Sequence, residues 1–352
     1  MKFPSRYGKK LRVLAIYDVT RDLEVGIKKE QLADDDTVQH AKVVIKVLQI
    51  SGHDVFEMIV EQTFADDILK WKDRVDVVFN LAEGVTGDLH SPAYVPFVLE
   101  SLGIPFTGCG WEANLLTLDK AKTKDFLSLY NVLTPPYLFF EKIPEKIPDG
   151  LIYPLLVKPS LVDCSCGIDK NAIVHSSDEL LERIKYVRDV YKMPSLVETF
   201  IDGMDVSVGV IGNPPDGVDV MNPFAIIYKN IPDDEYPIRT FDSKFDPESH
   251  SYKNATVVYP PPITQNAAEK MKEVTEKVYM LTKCSGYARL DFRVDKNMNS
   301  YFLEINANCA INEDSGFVLT AADFGLDYSQ FIDRILYDGY ERSLDRVDIY
   351  KK

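Results

Sequence analysis

The chain has 352 residues, 45% of them hydrophobic and 27% charged, and a formal net charge of −15. That length is long for one core, so two or three units are expected, while the acidic balance argues against a general nucleic-acid or anionic-membrane surface. No apolar run reaches bilayer length and the first residues hold no signal-type apolar segment, which sets the expectation of a cytoplasmic protein. Five irregularly spaced cysteines fit a reducing compartment better than a disulfide framework.

Residues 11–17, LRVLAIY, form a short apolar run that reads as a buried strand. Residues 18–36 are polar and acidic and read as a loop at its carboxyl edge. Residues 37–50 have helical spacing, with Val38, Ala41, Val44, Ile45 and Leu48 on one stripe and Ser51-Gly52 as the stop. Strand 54–60, helix 64–72 and strand 75–81 follow. Strands alternating with helices imply a parallel sheet, whose ligands sit at the carboxyl ends of its strands. Residues 18–24 and 80–88 then lie on the active edge. Residues 111–130 read as one helical stretch, and Thr134-Pro135-Pro136 opens a new unit. Residues 151–158 form an apolar strand ending in Lys158, an arrangement that calls for an anionic partner. Residues 196–210 read as strand, turn at Asp202-Gly203, and strand. Residues 264–284 read as a long helix with Met271, Val274, Val278 and Leu281 buried, and residues 328–340 as a closing helix.

Residues 287–315, YARLDFRVDKNMNSYFLEINANCAINEDS, organise the rest. Two alternating runs, 288–295 and 301–306, flank a turn-rich Lys-Asn-Met-Asn. In the first, Leu290, Phe292 and Val294 share one face, and Arg289, Asp291, Arg293 and Asp295 the other. A hairpin centred between Asn297 and Met298 sets Asp291 opposite Glu304 and Arg289 opposite Asn306. Like charges directly across a strand pair repel, and a cation between them relieves the repulsion. Asp, Glu and an Asn carbonyl are hard oxygen donors suited to Mg²⁺. A charged hairpin face turned to water accounts for the same alternation.

R-L-D-F…Y-F-L-E-I-N closely resembles the metal-binding hairpin of the ATP-grasp ligases, especially the D-alanine–D-alanine ligase group. FNLAEGVTGDLHSPAYVPFVLESLGIPFTGCG is similar to the family's F-N-x-x-x-G-x-x-G segment and L-G-I-P-Y-T-G. Glu83 stands where the cell-wall enzymes usually carry a histidine, and Gly87-Asp88-Leu89-His90 stands for their G-E-D-G. The resemblance runs from Leu11 to about Leu336. It implies an α/β, three-domain ATP-grasp fold: an N-terminal α/β domain at 1–115, a central subdomain at 116–205, and a C-terminal subdomain with the metal site at 206–352.

The resemblance also implies the site. Lys120 and Lys158 match the lysines that reach the ATP phosphates, and Ser165 and Gly167 retain part of the loop that closes over them. LVETFIDGMD matches the hinge where the backbone beside Glu198 reads adenine and a later acid, here Asp205, binds ribose. Lys244 matches the lysine of a flexible loop that contacts the transferred phosphate, and Arg289 matches the arginine that stabilises the tetrahedral oxyanion. Ser315 matches the serine that holds the acceptor carboxylate, and Asp291, Glu304 and Asn306 are the implied ligands of Mg²⁺ or Mn²⁺.

The departures are specific. Cys164 stands for a serine and Phe245 for a tyrosine of the substrate-holding hydroxyl network, whose N-terminal glutamate is matched only loosely by Asp22 or Glu24. Asn308-Cys309-Ala310 replaces x-P-G. Cys164, near Cys166 and Cys309, suggests an oxidation-sensitive site. The implied activity is an ATP-dependent ligase that joins an amino acid or small carboxylate to an amine through an acyl phosphate. The competing expectations are a true D-alanine–D-alanine ligase and a catalytically weak ATP-binding module. The expected partners are small amino-acid or carboxylate substrates and a second copy in a homodimer.

Overall fold

The computed structural model describes residues 8–19, 26–85, 91–215, 217–232 and 235–350. Asp22, Glu24 and the Gly87-Asp88-Leu89-His90 stretch lie outside these residues.

The first unit is a parallel sheet of three strands in the order β2-β1-β3. It comprises β1 (Arg12–Asp18), α1 (Gln31–Ile50), β2 (Asp54–Val60), α2 (Phe64–Leu69), β3 (Val77–Asn80) and α3 (Ser91–Leu102). Residues 13–17 of β1 are all buried because both faces of this central strand are covered. Val13, Ala15 and Tyr17 pack with Ala41, Val44, Ile45 and Leu48 of α1. Leu14 and Ile16 pack with Phe64, Ile68, Val95 and Leu99. The carboxyl ends of β1 and β3 therefore open onto one edge, which carries Asp18, Asn80 and Glu83.

Next come α4 (Trp111–Leu118) and α5 (Lys120–Ser128), not the single helix expected over 111–130. Asp119 breaks the run: its backbone is extended and its carboxylate accepts from Lys122 N, which caps α5. Lys120 thereby becomes the first residue of a helix, aimed at the loop after the next unit's core strand.

That unit is an antiparallel sheet in the order β4-β7-β5-β6. Its elements are β4 (Tyr137–Phe140), β5 (Leu155–Pro159), β6 (Ile173–Val174), α6 (Ser177–Tyr191) and β7 (Ser195–Thr199). Leu180, Ile184 and Val187 of α6 pack against Val157, Val174 and Val197.

The third sheet has six strands: β8 (Gly203–Gly212), β9 (Val218–Val220), β10 (Phe224–Tyr228), β11 (Ala255–Val258), β12 (Gly286–Asp295) and β13 (Ser300–Asn306). Between them lie α7 (Phe241–Phe245), α8 (His250–Asn254) and α9 (Gln265–Leu281), and α10 (Gly316–Ala321) and α11 (Tyr328–Tyr350) follow. Strand β8 is central and pairs with β12 along ten residues, from Gly203↔Asp295 to Gly212↔Gly286. Met271 and Val278 of α9 are buried on this sheet, with Val274 and Leu281 at the margin. Helix α11 runs ten residues past the expected end at Tyr340. Its Phe331, Ile332, Ile335 and Leu336 return to the face of the first sheet beside α1. Among the described residues no helix is long and apolar enough to cross a membrane.

Candidate active site

The hairpin β12–β13 pairs Asp291 with Glu304 and Arg289 with Asn306. Nearer the turn the pairs are Phe292↔Phe302 and Arg293↔Tyr301, so Leu303 is an extra residue on β13. The turn is one residue out of step with the symmetric hairpin, and this bulge restores the facing of Asp291 and Glu304. Asp295 holds the turn by accepting from Asn297 N and Asn299 N, both at 2.8 Å.

Asp291 is densely solvated by protein. It accepts from Ser207 Oγ at 2.7 Å, from Arg289 Nε and Nη2 at 2.8 Å each, and from Asn306 Nδ2 at 2.8 Å. Burial opposes charge on Asp291, but Arg289 and then Ser207 hold its carboxyl below the usual range. Glu304 Oε2 lies 3.6 Å from Lys120 Nζ. The facing carboxylates thus have two cationic side chains beside them, Arg289 and Lys120. Among the described residues, no three His, Cys, Asp or Glu side chains group as a metal cage. The hairpin offers two carboxylates and an amide whose nitrogen faces Asp291, leaving its oxygen for other use. That donor set suits an ion such as Mg²⁺, which takes its remaining oxygens from water or phosphates.

Three buried lysines stand beside this face. Lys120 donates to Val162 O at 2.9 Å and pairs with Asp163 Oδ1 at 2.5 Å. Burial would depress it, but Asp163 and Glu304 outweigh burial and raise it. Lys124 and Lys158 share Glu198, at 2.8 Å to Oε1 and 2.9 Å to Oε2. Burial opposes the charge on Glu198, yet the two lysines bring its carboxyl down to about 2. Burial depresses Lys124 against the pull of Glu198, and Lys158 adds to the depression. Lys244, on α7, lies over the ring of Phe245 at 4.8 Å.

A small cleft lies between the first sheet's carboxyl edge and this cluster. His40, Glu83, Cys164, Lys244, Phe245 and Ala310 line it. Cys164 and Ser165 both have left-handed backbones, with φ of 58° and 59°, so the loop turns sharply where it faces the cleft. Cys164 Sγ is 3.9 Å from Glu83 Oε2. Burial and then Glu83 push its thiol up to about 12, and burial raises Cys309 to about 12 and Cys166 well above normal. Thiols held protonated are poor targets for peroxide, which argues against the oxidation-sensitive site expected from their proximity.

The family model described as D-ala D-ala ligase C-terminus matches residues 130–337. The chain belongs to this family. An uncharacterized protein of Sinorhizobium fredii is 30% identical over 266 residues, 76% of this chain and 75% of that protein. A D-alanine–D-alanine ligase of Carboxydothermus hydrogenoformans is 28% identical over 307 residues, 85% of this chain and 91% of the relative. Among solved structures, D-alanine–D-alanine ligase from Bacillus anthracis complexed with ATP superimposes with a TM-score of 0.73 at 18% identity, over 95% of this chain and 99% of that one. The fold is therefore the three-part ATP-grasp fold, and the chain is an ATP-grasp enzyme of the carboxylate–amine ligase class.

In this ligase family member, Lys120, Asp291, Glu304, Asn306 and Arg289 come together on one face, joined by hydrogen bonds and ion pairs. Lys158 and Glu198 are joined beside them. Cys164 and Lys244 meet across the cleft, and Ser165 follows Cys164 in the same turn. Asp205 is held by Arg293 Nη1 at 2.7 Å and accepts from Tyr228 Oη at 2.9 Å. Ser315 caps α10, its Oγ accepting from Val318 N at 3.3 Å. Two residues escaped the sequence reading. Lys124 ends the D-K-x-x-x-K pattern of Asp119 and Lys120, in which only Lys120 is given a role, and it shares a helix face with Lys120 and Leu127, both buried. Glu30 sits in an acidic, polar stretch with no periodic signal, yet it is buried.

Proposed function

We propose that this ligase activates a small carboxylate as an acyl phosphate with ATP and passes the acyl group to an amine, forming an amide or peptide bond. The observation that carries the reading is the single face holding Asp291, Glu304, Asn306, Lys120 and Arg289, set against a cleft that contains Lys244 and Cys164. Asp291, Glu304 and Asn306 would hold Mg²⁺ or Mn²⁺, whose charge offsets that of the ATP phosphates. Lys120, Lys158 and Lys244 bind and orient the phosphate chain, and their charge opposes what builds on the transferring group. Glu198 fixes Lys158 in place, and the backbone after it lies at the hinge that would read adenine, with Asp205 toward ribose. Arg289, already aligned by Asp291, stabilises the oxyanion formed when the amine attacks. The loop bearing Cys164 and Ser165 excludes water from the acyl phosphate, and Ser315 is the candidate for the acceptor carboxylate.

Cys164, Phe245 and Ala310 line the substrate cleft where the cell-wall ligases carry serine, tyrosine and glycine. This favours a substrate pair other than two D-alanines. The chain is proposed to act as a homodimer of three-domain protomers, divided at 1–115, 116–205 and 206–352. The test is ADP release against a panel of D- and L-amino acids and small carboxylates. Activity with a pair other than D-alanine plus D-alanine is expected. Activity with D-alanine alone would make it a D-alanine–D-alanine ligase, and none with any substrate would leave an ATP-binding module.

A further inference from the structure

Residues 26–30 touch three separate parts of the molecule. Gly26 N donates to Val190 O at 3.1 Å, at the end of α6. Glu30, only 4% exposed, accepts on Oε1 from Gly167 N at 3.0 Å and from Tyr191 Oη at 2.7 Å, and on Oε2 from Ile27 N at 3.0 Å. Lys29 Nζ lies 2.9 Å from Asp242 Oδ1 and 2.5 Å from Asp246 Oδ2, the acids that bracket Lys244 on α7. The loop and α7 also meet directly, since Phe241 N donates to Ile168 O at 2.9 Å. The local backbone is built for this. Gly26 has φ of +94°, and a Cβ there would stand 2.4 Å from Glu30 Oε2, so only glycine lets the segment close on its own carboxylate. Gly167, the residue that Glu30 grips, is held from its other side by Arg183 Nη2 on Gly167 O at 2.7 Å.

We propose that residues 26–30 form a strap that positions the loop of residues 160–170 and the Lys244 helix against each other, with Glu30 and Lys29 as positioning residues for ligation. The inference rests on the roles proposed above for that loop and for Lys244. The strap leads directly into α1, which packs on the first sheet, so it ties that unit to both phosphate-facing pieces. Its contacts differ from the hydroxyl network that Cys164 and Phe245 interrupt. It uses a tyrosine of α6 and a backbone N–H, both donating to one oxygen of a carboxyl group that is 4% exposed.

The test compares the full-length wild type with Lys29→Met, Glu30→Ala and Glu30→Gln. The side chains of Lys29, Asp242 and Asp246 are 39%, 47% and 21% exposed, so Lys29→Met leaves the fold intact. Hydrogen exchange with ATP and Mg²⁺ present should quicken at the Gly167 amide and through residues 241–245 in Lys29→Met and Glu30→Ala. Glu30→Gln keeps an oxygen acceptor for Gly167 N and Tyr191 but turns an amide NH2 on Ile27 N, so its exchange should fall between wild type and Glu30→Ala. With the best substrate pair from the panel, Lys29→Met should lower kcat by about threefold to tenfold, the loss expected of two part-exposed ion pairs. It should also flatten the decline of kcat with added salt. Unchanged exchange at Gly167 and residues 241–245 in Lys29→Met would overturn the strap, even if Glu30→Ala does not fold. A wild type inactive on the whole panel would overturn the proposed reaction and leave the exchange result to judge the strap alone.

Discussion

Lys124 and Glu198 form an ion pair shut off from water, 2.8 Å apart with side chains 0% and 1% exposed. Lys158 completes the arrangement from the other carboxylate oxygen, so one buried anion fixes two buried cations. Removing one partner of a buried pair leaves uncompensated charge, at a cost of about 3–5 kcal/mol. Glu198 keeps Lys158 when Lys124 is lost, so Lys124→Met should fall at the low end, about 3 kcal/mol. Urea unfolding should show the earlier midpoint, and the variant should keep measurable ATP binding, because Lys158 and Lys120 remain. A midpoint equal to wild type would mean that the pair contributes nothing to stability.

The same carboxylate sets an acid limit. Its folded value is about 2 against an ordinary 4.5. A carboxyl lowered by folding adds stability above the unfolded value and loses it as pH falls through the folded one. The window is therefore about pH 5 down to about pH 2, and the contribution is about 3 kcal/mol. The gap in urea midpoint between wild type and Glu198→Gln should be full at pH 6 and shrink steadily toward pH 2.5. A gap independent of pH would remove Glu198 as its source.

The first sheet was legible because β1 and β3 are short apolar runs and α1 keeps a clean stripe at Ala41, Val44, Ile45 and Leu48. The facing of Asp291 and Glu304 was legible by counting from a symmetric turn, although the real turn is out of step and the bulge at Leu303 restores the count. What periodicity misses is chemistry that depends on tertiary partners. Asp119 breaks residues 111–130 into two helices by accepting from Lys122 N, a cap with no apolar signature. Lys124 is buried because Glu198 lies 74 positions away in the chain and beside it in space. Arg293 alternates with Asp291 on the polar face, yet it is buried under Phe200 and paired with Asp205.

The cysteines of the cleft should be inert. Burial pushes Cys164 and Cys309 up to about 12, so at neutral pH both are thiols, whereas the thiolate is the form that peroxide attacks. ADP release with the best substrate pair should survive mild peroxide without reductant, and intact-mass analysis should show no sulfenic or sulfinic adduct on Cys164. Adduct on Cys164 accompanied by lost activity would restore the oxidation-sensitive reading.

The hairpin carries the sharpest prediction. Asp291→Asn removes one negative charge and keeps an oxygen acceptor for Ser207 and Arg289 Nε, but it sets an amide NH2 against Arg289 Nη2 and Asn306 Nδ2, so Arg289 keeps one of its two bonds and the strand pair persists. Glu304→Gln keeps the side chain's length and leaves Lys120 paired with Asp163. Neither change opens a cavity, so the fold should persist, with Asp291→Asn melting earlier than wild type for its lost ion pair with Arg289 and Glu304→Gln melting near wild type. Both remove a hard anionic oxygen from the face proposed to hold the metal. Losing one preorganised electrostatic contact typically costs about 10²–10³ in turnover. Each variant should therefore lose activity on that scale, and the Mg²⁺ concentration giving half-maximal rate should rise. Activity and Mg²⁺ response at wild-type level in both variants would sink the metal assignment. Arg289 and Lys120 would then be left as the charges that hold the two carboxylates together.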